Sequence, residues 1–415
     1  MLLAQGVFGL VCFIALGWLF SEQRRQINPR IIISGLAAQL LLALLLLKTP
    51  GSEHWFTPLT DLVNALQAAA QQGSQFVFGY IAGGKTPFEL QFPQHNFILT
   101  FQALPLLIVV SALSALLFHW RLLPLLLQGM SWLLQRTFRI SAPLGLGTAA
   151  NVFVGMTEAP LLIRPCLAQM SRSELFALMV TGMATLAGTV MVLYATFLNG
   201  VMADPMRHIL TASLISAPAS LLVAHLLVPG DGLDGRLDQQ QLRSPYHSSM
   251  DAVTTGTLAG LQLWLNVVAL LLVLVALVAL ANMGLGLLPD VAGEPLTFQR
   301  LLGWLMAPLA WLTGIPWPEA RIAGSLLGIK TILNEMIAYL QLIEIAPGQL
   351  SDRSVIITTY ALCGFANISS LGILIGGLTY MAPQRGKEIT ALGWKALAGG
   401  TLATLMTAAI VGLLI

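Results

Sequence analysis

The stretch "VFVGMTEAPLLIRP", residues 152–165, decides how this chain is built. It sets Glu158 two residues before Pro160 inside an otherwise apolar run. A carboxylate at the centre of a bilayer costs about 2.5–3.5 kcal/mol on insertion scales, so it faces a partner or a wet cavity and carries function. A proline inside a helix removes a backbone hydrogen bond and ends or kinks the helix. The pair predicts a broken tip, which lipid tolerates only against protein or water.

Composition supplies the lipid. Of 415 residues, 56% are hydrophobic and 9% charged, where a soluble domain carries about 25% charged residues. This composition predicts an all-α polytopic membrane protein. A net charge of +2 and the lack of basic blocks with interleaved aromatics give no reason to expect a nucleic-acid partner. Cys12, Cys166 and Cys363 lie in apolar segments without metal-ligand spacing and read as small core residues. The apolar first twenty residues have no basic n-region, and Arg24, Arg25 and Arg30 follow them. This predicts a retained span with its N-terminus outside.

A crossing helix needs roughly 20 mostly apolar residues. Eight stretches qualify: 2–20, 31–47, 97–118, 174–198, 208–228, 258–283, 355–381 and 391–415. With eight spans, both N- and C-termini lie outside. The inside loops then hold Arg24, Arg25, Arg30, Arg121, Arg136, Arg139, Arg164, Arg172, Arg236, Arg243, Arg385, Lys387 and Lys395, thirteen in all. Lys48, Lys85, Arg207, Arg300 and Arg353, five in all, fall outside. Thirteen against five agrees with the positive-inside rule.

Two more apolar regions, 121–170 and 297–345, are too interrupted by Gly and Pro for one clean helix. They open with the amphipathic pieces "LLPLLLQGMSWLLQRTF" and "TFQRLLGWLMAPLAWL". Re-entrant hairpins, entering and leaving on one side, keep the charge parity; surface loops are the plainer alternative. Residues 48–96 contain "HWFTPLTDLVNALQAAAQQ" and "GGKTP", read as an interfacial helix and loop on the outer side.

The order span, amphipathic helix, hairpin, broken span, span occurs twice. The first unit is 97–228 and the second 258–415, behind N-terminal scaffold helices in 1–96 and joined by a polar cytoplasmic linker, 229–257. "GMATLAGT" (182–189) pairs weakly with "GFANISSL" (364–371), and a glutamate lies near each hairpin tip. The units begin on opposite sides, so the repeat is inverted, which with broken helices points to a secondary transporter. The expected fold is eight transmembrane helices plus two re-entrant helical hairpins in an inverted-repeat transporter.

Polar residues gather at the expected breaks: Asn151, Met156, Thr157 and Glu158; Thr185 and Thr189; Lys330, Thr331, Asn334 and Glu335; Asn367, Ser369 and Ser370. Plainer roles exist for each. Glu158 would pair with Arg164, Glu335 with Lys330, Asn151 would cap a helix, and Asn367 with the serines would tie helices together. Two carboxylates, three asparagines and several hydroxyls suit a neutral ligand rich in hydroxyl and N–H donors, since charge-assisted bonds are roughly twice as strong as neutral ones. Met156, Val190 and Phe365 offer apolar faces for a flat ring. Asn151 and Thr185, with carbonyls released at the breaks, form an oxygen shell suited to a hard cation.

Five motifs carry a family resemblance: "AANVFVGMTEAPLLIRP" (149–165), "SELFALMVTGMATLAG" (173–188), "GIPWPEA" (314–320), "GIKTILNEMIAY" (328–339) and "ALCGFANISSLGIL" (361–374). The weaker "GSQFVFG" (73–79) also fits. Over essentially its whole length the chain resembles the concentrative nucleoside transporters. The resemblance implies a homotrimer in the bacterial cytoplasmic (inner) membrane, each protomer with a scaffold and a mobile transport domain. It implies Na+-coupled nucleoside symport into the cell by alternating access, and no enzymatic activity.

By motif position, Gly155, Met156, Thr157 and Glu158 would meet the nucleobase, with Val190 beside it. Glu335, Asn367 and Ser370 would hold the ribose, and Phe365 would pack near the base. Asn151, Val154, Thr185 and Leu186 would serve Na+. Many similar bacterial chains carry glutamine at the position of Met156; a thioether lacks the amide's donor and acceptor, which suggests a shift toward purines. Thr185 stands where serine is common. Na+ is favoured over H+ because Asn151 and Thr185 both keep oxygen ligands. The alternative is an H+-coupled transporter of nucleosides, a related base or a modified nucleoside. An intramembrane enzyme using the two glutamates would lack a nucleophile or metal-ligand set, and a channel would share the repeat.

Overall fold

A computed structural model of the chain describes residues 2–89, 97–156, 158–230, 246–291, 293 and 295–415. These residues form helices joined by short turns, as the composition predicts. The chain opens with α1 (Leu2–Leu19), α2 (Pro29–Ala43) and α3 (Ser52–Phe78). The first unit follows as α4 (Leu99–Gln102), α5 (Leu106–His119), α6 (Leu122–Phe138), α7 (Ala142–Phe153), α8 (Ala159–Leu162), α9 (Arg164–Leu167), α10 (Arg172–Ala184), α11 (Gly188–Leu198) and α12 (Pro205–Leu227). The second comprises α13 (Ser249–Leu285), α14 (Phe298–Leu312), α15 (Trp317–Ile332), α16 (Glu335–Glu344), α17 (Asp352–Leu362), α18 (Ile368–Met381) and α19 (Gly386–Leu414).

Among the described residues, six stretches are long and apolar enough to cross a membrane: Pro29–Lys48, Leu99–His119, Arg172–Leu198, Pro205–Leu227, Ser249–Leu285 and Pro383–Leu414. Ala4–Leu19 and Ile368–Met381 are shorter apolar helices at the two other positions where spans are expected. Burial sorts these elements. The most apolar window of Arg172–Leu198 is 89% buried, whereas that of Ser249–Leu285 is 0% buried. The first is therefore core, and α13 is peripheral, presenting apolar side chains outward. It lies along α5, where Gly256 and Gly260 bring its backbone against Ser111, Ala112 and Ile108.

Local chemistry sets the helix ends. Ser171 and Glu174 close a capping box at the start of α10, Ser171 Oγ accepting from the Glu174 amide and Glu174 Oε2 from the Ser171 amide. This satisfies two of the amides that a helix start leaves without partners. Ser351 caps α17, Asn334 caps α16 and Asn367 caps α18. Both expected broken spans are broken: α10 stops at Thr185 in extended backbone and α11 begins at Gly188, while α17 stops before Cys363 and α18 begins after Asn367.

The two breaks touch. A methyl group on Gly364 would fall 2.9 Å from the Ala184 carbonyl oxygen and 2.8 Å from Thr404 Cγ2. Only a residue without Cβ lets the second break cross the first at this depth.

Candidate functional site

Each hairpin turns directly before a short helix that starts with or beside a glutamate. In the first, α7 ends at Phe153 and the chain reverses through Gly155, whose φ of +119° is a conformation L side chains rarely adopt. Glu158 stands at the N-cap of α8, and Pro160 occupies the first turn, where its missing N–H costs nothing. Glu158 is exposed. Its Oε2 folds back beside Gly155, where a Cβ would lie 2.9 Å from that oxygen and 3.0 Å from Ala187 Cβ. The carboxylate also acts at a distance on Tyr246, just before α13: burial pushes the Tyr246 hydroxyl pKa up, and the charges of Asp251 and Glu158 add to the rise. Arg164, the partner of the plainer reading, has its guanidinium over the Tyr380 ring, 5.9 Å from the centroid.

In the second hairpin, Glu335 is the first residue of α16 and 5% exposed. A carboxylate there is favoured by the positive end of the helix dipole. Glu335 Oε1 accepts from the Tyr194 hydroxyl at 2.7 Å, and Oε2 accepts from Asn367 Nδ2 at 2.8 Å. Asn367 Oδ1 in turn accepts from the Ser370 amide at 2.7 Å, so this one side chain caps α18 and holds Glu335. Lys330 is not the partner of Glu335: its ammonium donates to the Ala361 carbonyl at 2.7 Å and to Thr404 Oγ1 at 3.2 Å.

Asn151 lies inside α7 rather than at its cap. It is 1% exposed, and among the described residues neither Oδ1 nor Nδ2 has a hydrogen-bond partner. Leaving such a group unsatisfied costs about 1–3 kcal/mol. Thr185 Oγ1 sits 3.2 Å from the Asn151 carbonyl oxygen and 2.9 Å from that of Thr181. The Leu186 amide donates to Ser213 Oγ, and Val154 closes the C-terminal end of α7. The Thr185 hydroxyl and the Asn151 backbone thus meet at the first break, beside a buried side-chain amide.

Of the residues expected to surround a base, Met156 and Val190 are each 8% exposed and Phe365 is half-buried. Met156 packs against α10, where a Cβ on Gly182 would meet its Cβ at 3.1 Å. Thr157 lies outside the described residues. From Ala187, beside the Glu158 tip, to Tyr194, bonded to Glu335, is seven residues of α11. At 1.5 Å per residue the two carboxylates flank about 10 Å of helix.

Tyr194 is the residue that sequence reasoning missed. The signal was present: it is four positions after Val190, hence on the same face of α11. A lone tyrosine in an apolar span reads equally well as core.

Apolar helices long enough to cross a membrane, two of them interrupted where the chain carries buried polar groups, point to a membrane transporter. Comparison with known proteins gives the family. Residues 8–81 and 208–412 match the N- and C-terminal regions of the Na+-dependent nucleoside transporters, and residues 100–200 match a nucleoside-recognition gate. An uncharacterized transporter of Haemophilus influenzae is 37% identical, with 99% of this chain and 97% of that protein covered. The nucleoside permease NupC of Helicobacter pylori is 36% identical, with 99% and 97% covered. The inward-facing, substrate-bound structure of CNTnw superposes with a TM-score of 0.91 at 36% identity, covering 100% of this chain and 98% of that one. The chain belongs to the concentrative nucleoside transporter family.

Proposed function

We propose that this protein moves nucleosides into the cell by Na+-coupled symport, working as a homotrimer in the bacterial cytoplasmic membrane with both termini outside. The fold has eight spans and two re-entrant hairpins, of which the last six spans and both hairpins form the inverted repeat. The divisions are 1–96, 97–228, the linker 229–257 and 258–415. The observation that supports this reading is the contact of the two helix breaks at Gly364 and Ala184, with Gly155 beside Ala187 and Glu335 bonded to Tyr194 and Asn367.

Gly155, Met156, Thr157 and Glu158 face the base with Val190 and Phe365, and Glu335, Asn367 and Ser370 hold the ribose. Glu335 retains lone pairs beyond those used by Tyr194 and Asn367 and offers them to ribose hydroxyls as charge-assisted acceptors. Na+ sits among the Asn151 and Thr185 side chains and the Val154 and Leu186 backbone. An ion there ties the first hairpin to the first break, shaping the base-binding half of the site and coupling the two ligands through one free energy.

The test is uptake into proteoliposomes of purified protein, screening the common nucleosides under an imposed Na+ gradient and, separately, a pH gradient. Saturable accumulation driven by Na+ is expected. Accumulation driven by the pH gradient alone would replace Na+ with H+, and flux that neither saturates nor accumulates would make the protein a channel.

A further inference from the structure

Lys330 is 1% exposed, and both of its hydrogen-bond acceptors are neutral oxygens. An ammonium in such a place is expensive, costing far more than a hydroxyl or amide would to tie the same helices. Its position has a counterpart. Lys330 stands two residues before the end of α15 at Ile332, and Asn151 stands two residues before the end of α7 at Phe153. After each, the chain turns and a glutamate begins the next arm: Glu158 at the N-cap of α8, Glu335 at the first position of α16.

The surroundings correspond as well. The Asn151 backbone carbonyl accepts from the hydroxyl of Thr185, which ends α10, the first half of the first broken span. Lys330 lies against the end of α17, the first half of the second, by donating to the Ala361 carbonyl. That carbonyl is among the last four of its helix, which have no partner within it and form the negative end of its dipole. At equivalent places, then, the first unit presents a buried amide oxygen that has no partner among the described residues, and the second presents a positive charge already seated on oxygens.

We propose that Lys330 is a built-in cation standing where the second unit would otherwise hold an ion, so that one mobile coupling ion accompanies each nucleoside. The inference rests on the Na+-coupled reading above. The ammonium anchors the second break and supplies the standing positive charge near Glu335, five residues along, whose own hydrogen bonds come from Tyr194 and Asn367.

The experiment compares Lys330→Asn with Lys330→Met. Asparagine recreates the side chain of the first unit, and methionine fills the space without an oxygen. Purified trimers are followed by thermal unfolding and by binding of uridine and adenosine across a Na+ series balanced with choline. At low Na+ both variants are expected to bind nucleoside about tenfold or more weakly than wild type, a buried positive charge having been removed. As Na+ rises, Lys330→Asn recovers both unfolding temperature and affinity, with a steeper Na+ dependence than wild type, while Lys330→Met recovers neither. No difference between the two variants across the series, including failure of both to fold, would overturn the proposal. A wild type indifferent to Na+ would count against the coupling-ion reading alone, because the comparison of the two variants reads position 330 independently of it.

Discussion

The Tyr194 hydroxyl donates to Glu335 Oε1 at 2.7 Å, joining the second half of the first broken span to the tip of the second hairpin. The two residues are 141 apart in sequence. The Tyr194 ring also packs against Tyr339, one turn further along α16, with centroids 4.9 Å apart. Helix α11 therefore fixes the carboxylate at the start of α16. A shift of α11 relative to α16 would change the aim of the oxygens on which ribose is proposed to bind.

Replacing Tyr194 with Phe keeps the ring and removes the bond. Hydrogen bonds to charged groups contribute about 1.5–3 kcal/mol, so nucleoside affinity should fall about 10- to 100-fold, measured by calorimetry on purified protein. Glu335→Gln should abolish uptake while trimers still assemble. Retained uptake in that variant would remove Glu335 from the ribose site.

Asn151→Leu replaces a buried, unpartnered amide with an apolar side chain of similar size. The protein should fold, with stability equal to or slightly above that of wild type in Na+-free medium, because an unsatisfied group is gone. The rise in unfolding temperature on adding Na+ should disappear. A Na+ response equal to that of wild type would move the ion elsewhere.

Met156→Gln restores a donor and an acceptor at the tip of the first hairpin. The ratio of purine to pyrimidine nucleoside uptake should fall, by about tenfold if one neutral hydrogen bond to a pyrimidine is gained. An unchanged ratio would mean that Met156, packed on Gly182, serves the fold and does not read the base.

On the loop between α1 and α2, Glu22 accepts from Arg172 at 3.0 Å and from Lys395 at 2.8 Å. The hydrogen bond from Arg172, aided by Lys395, holds its carboxyl below the usual glutamate range. With the folded-state value depressed, the contribution is present at neutral pH and is lost as pH falls through that lowered value. Unfolding temperature should therefore exceed that of Glu22→Gln at neutral pH, by the small margin of an exposed pair worth about 0.2–1 kcal/mol, and the two should converge in acid. A gap that persists at low pH would show that Glu22 acts through something other than its charge.

Much of this protein was legible in one dimension. Runs of apolar residues located the long helices, because lipid forces every backbone group to be satisfied within its own segment. The breaks at Thr185 and Asn367 and the tip at Glu158 were visible because glycine, proline and polar residues are costly in such runs. Tertiary structure decided the partners. Nothing in spacing says that Glu335 is held by Tyr194 and Asn367 while Lys330, five residues away, turns to Ala361 and Thr404. Sequence periodicity records which face of a helix a residue occupies; what meets that face depends on how distant helices pack, and here on Gly364 letting the two breaks cross.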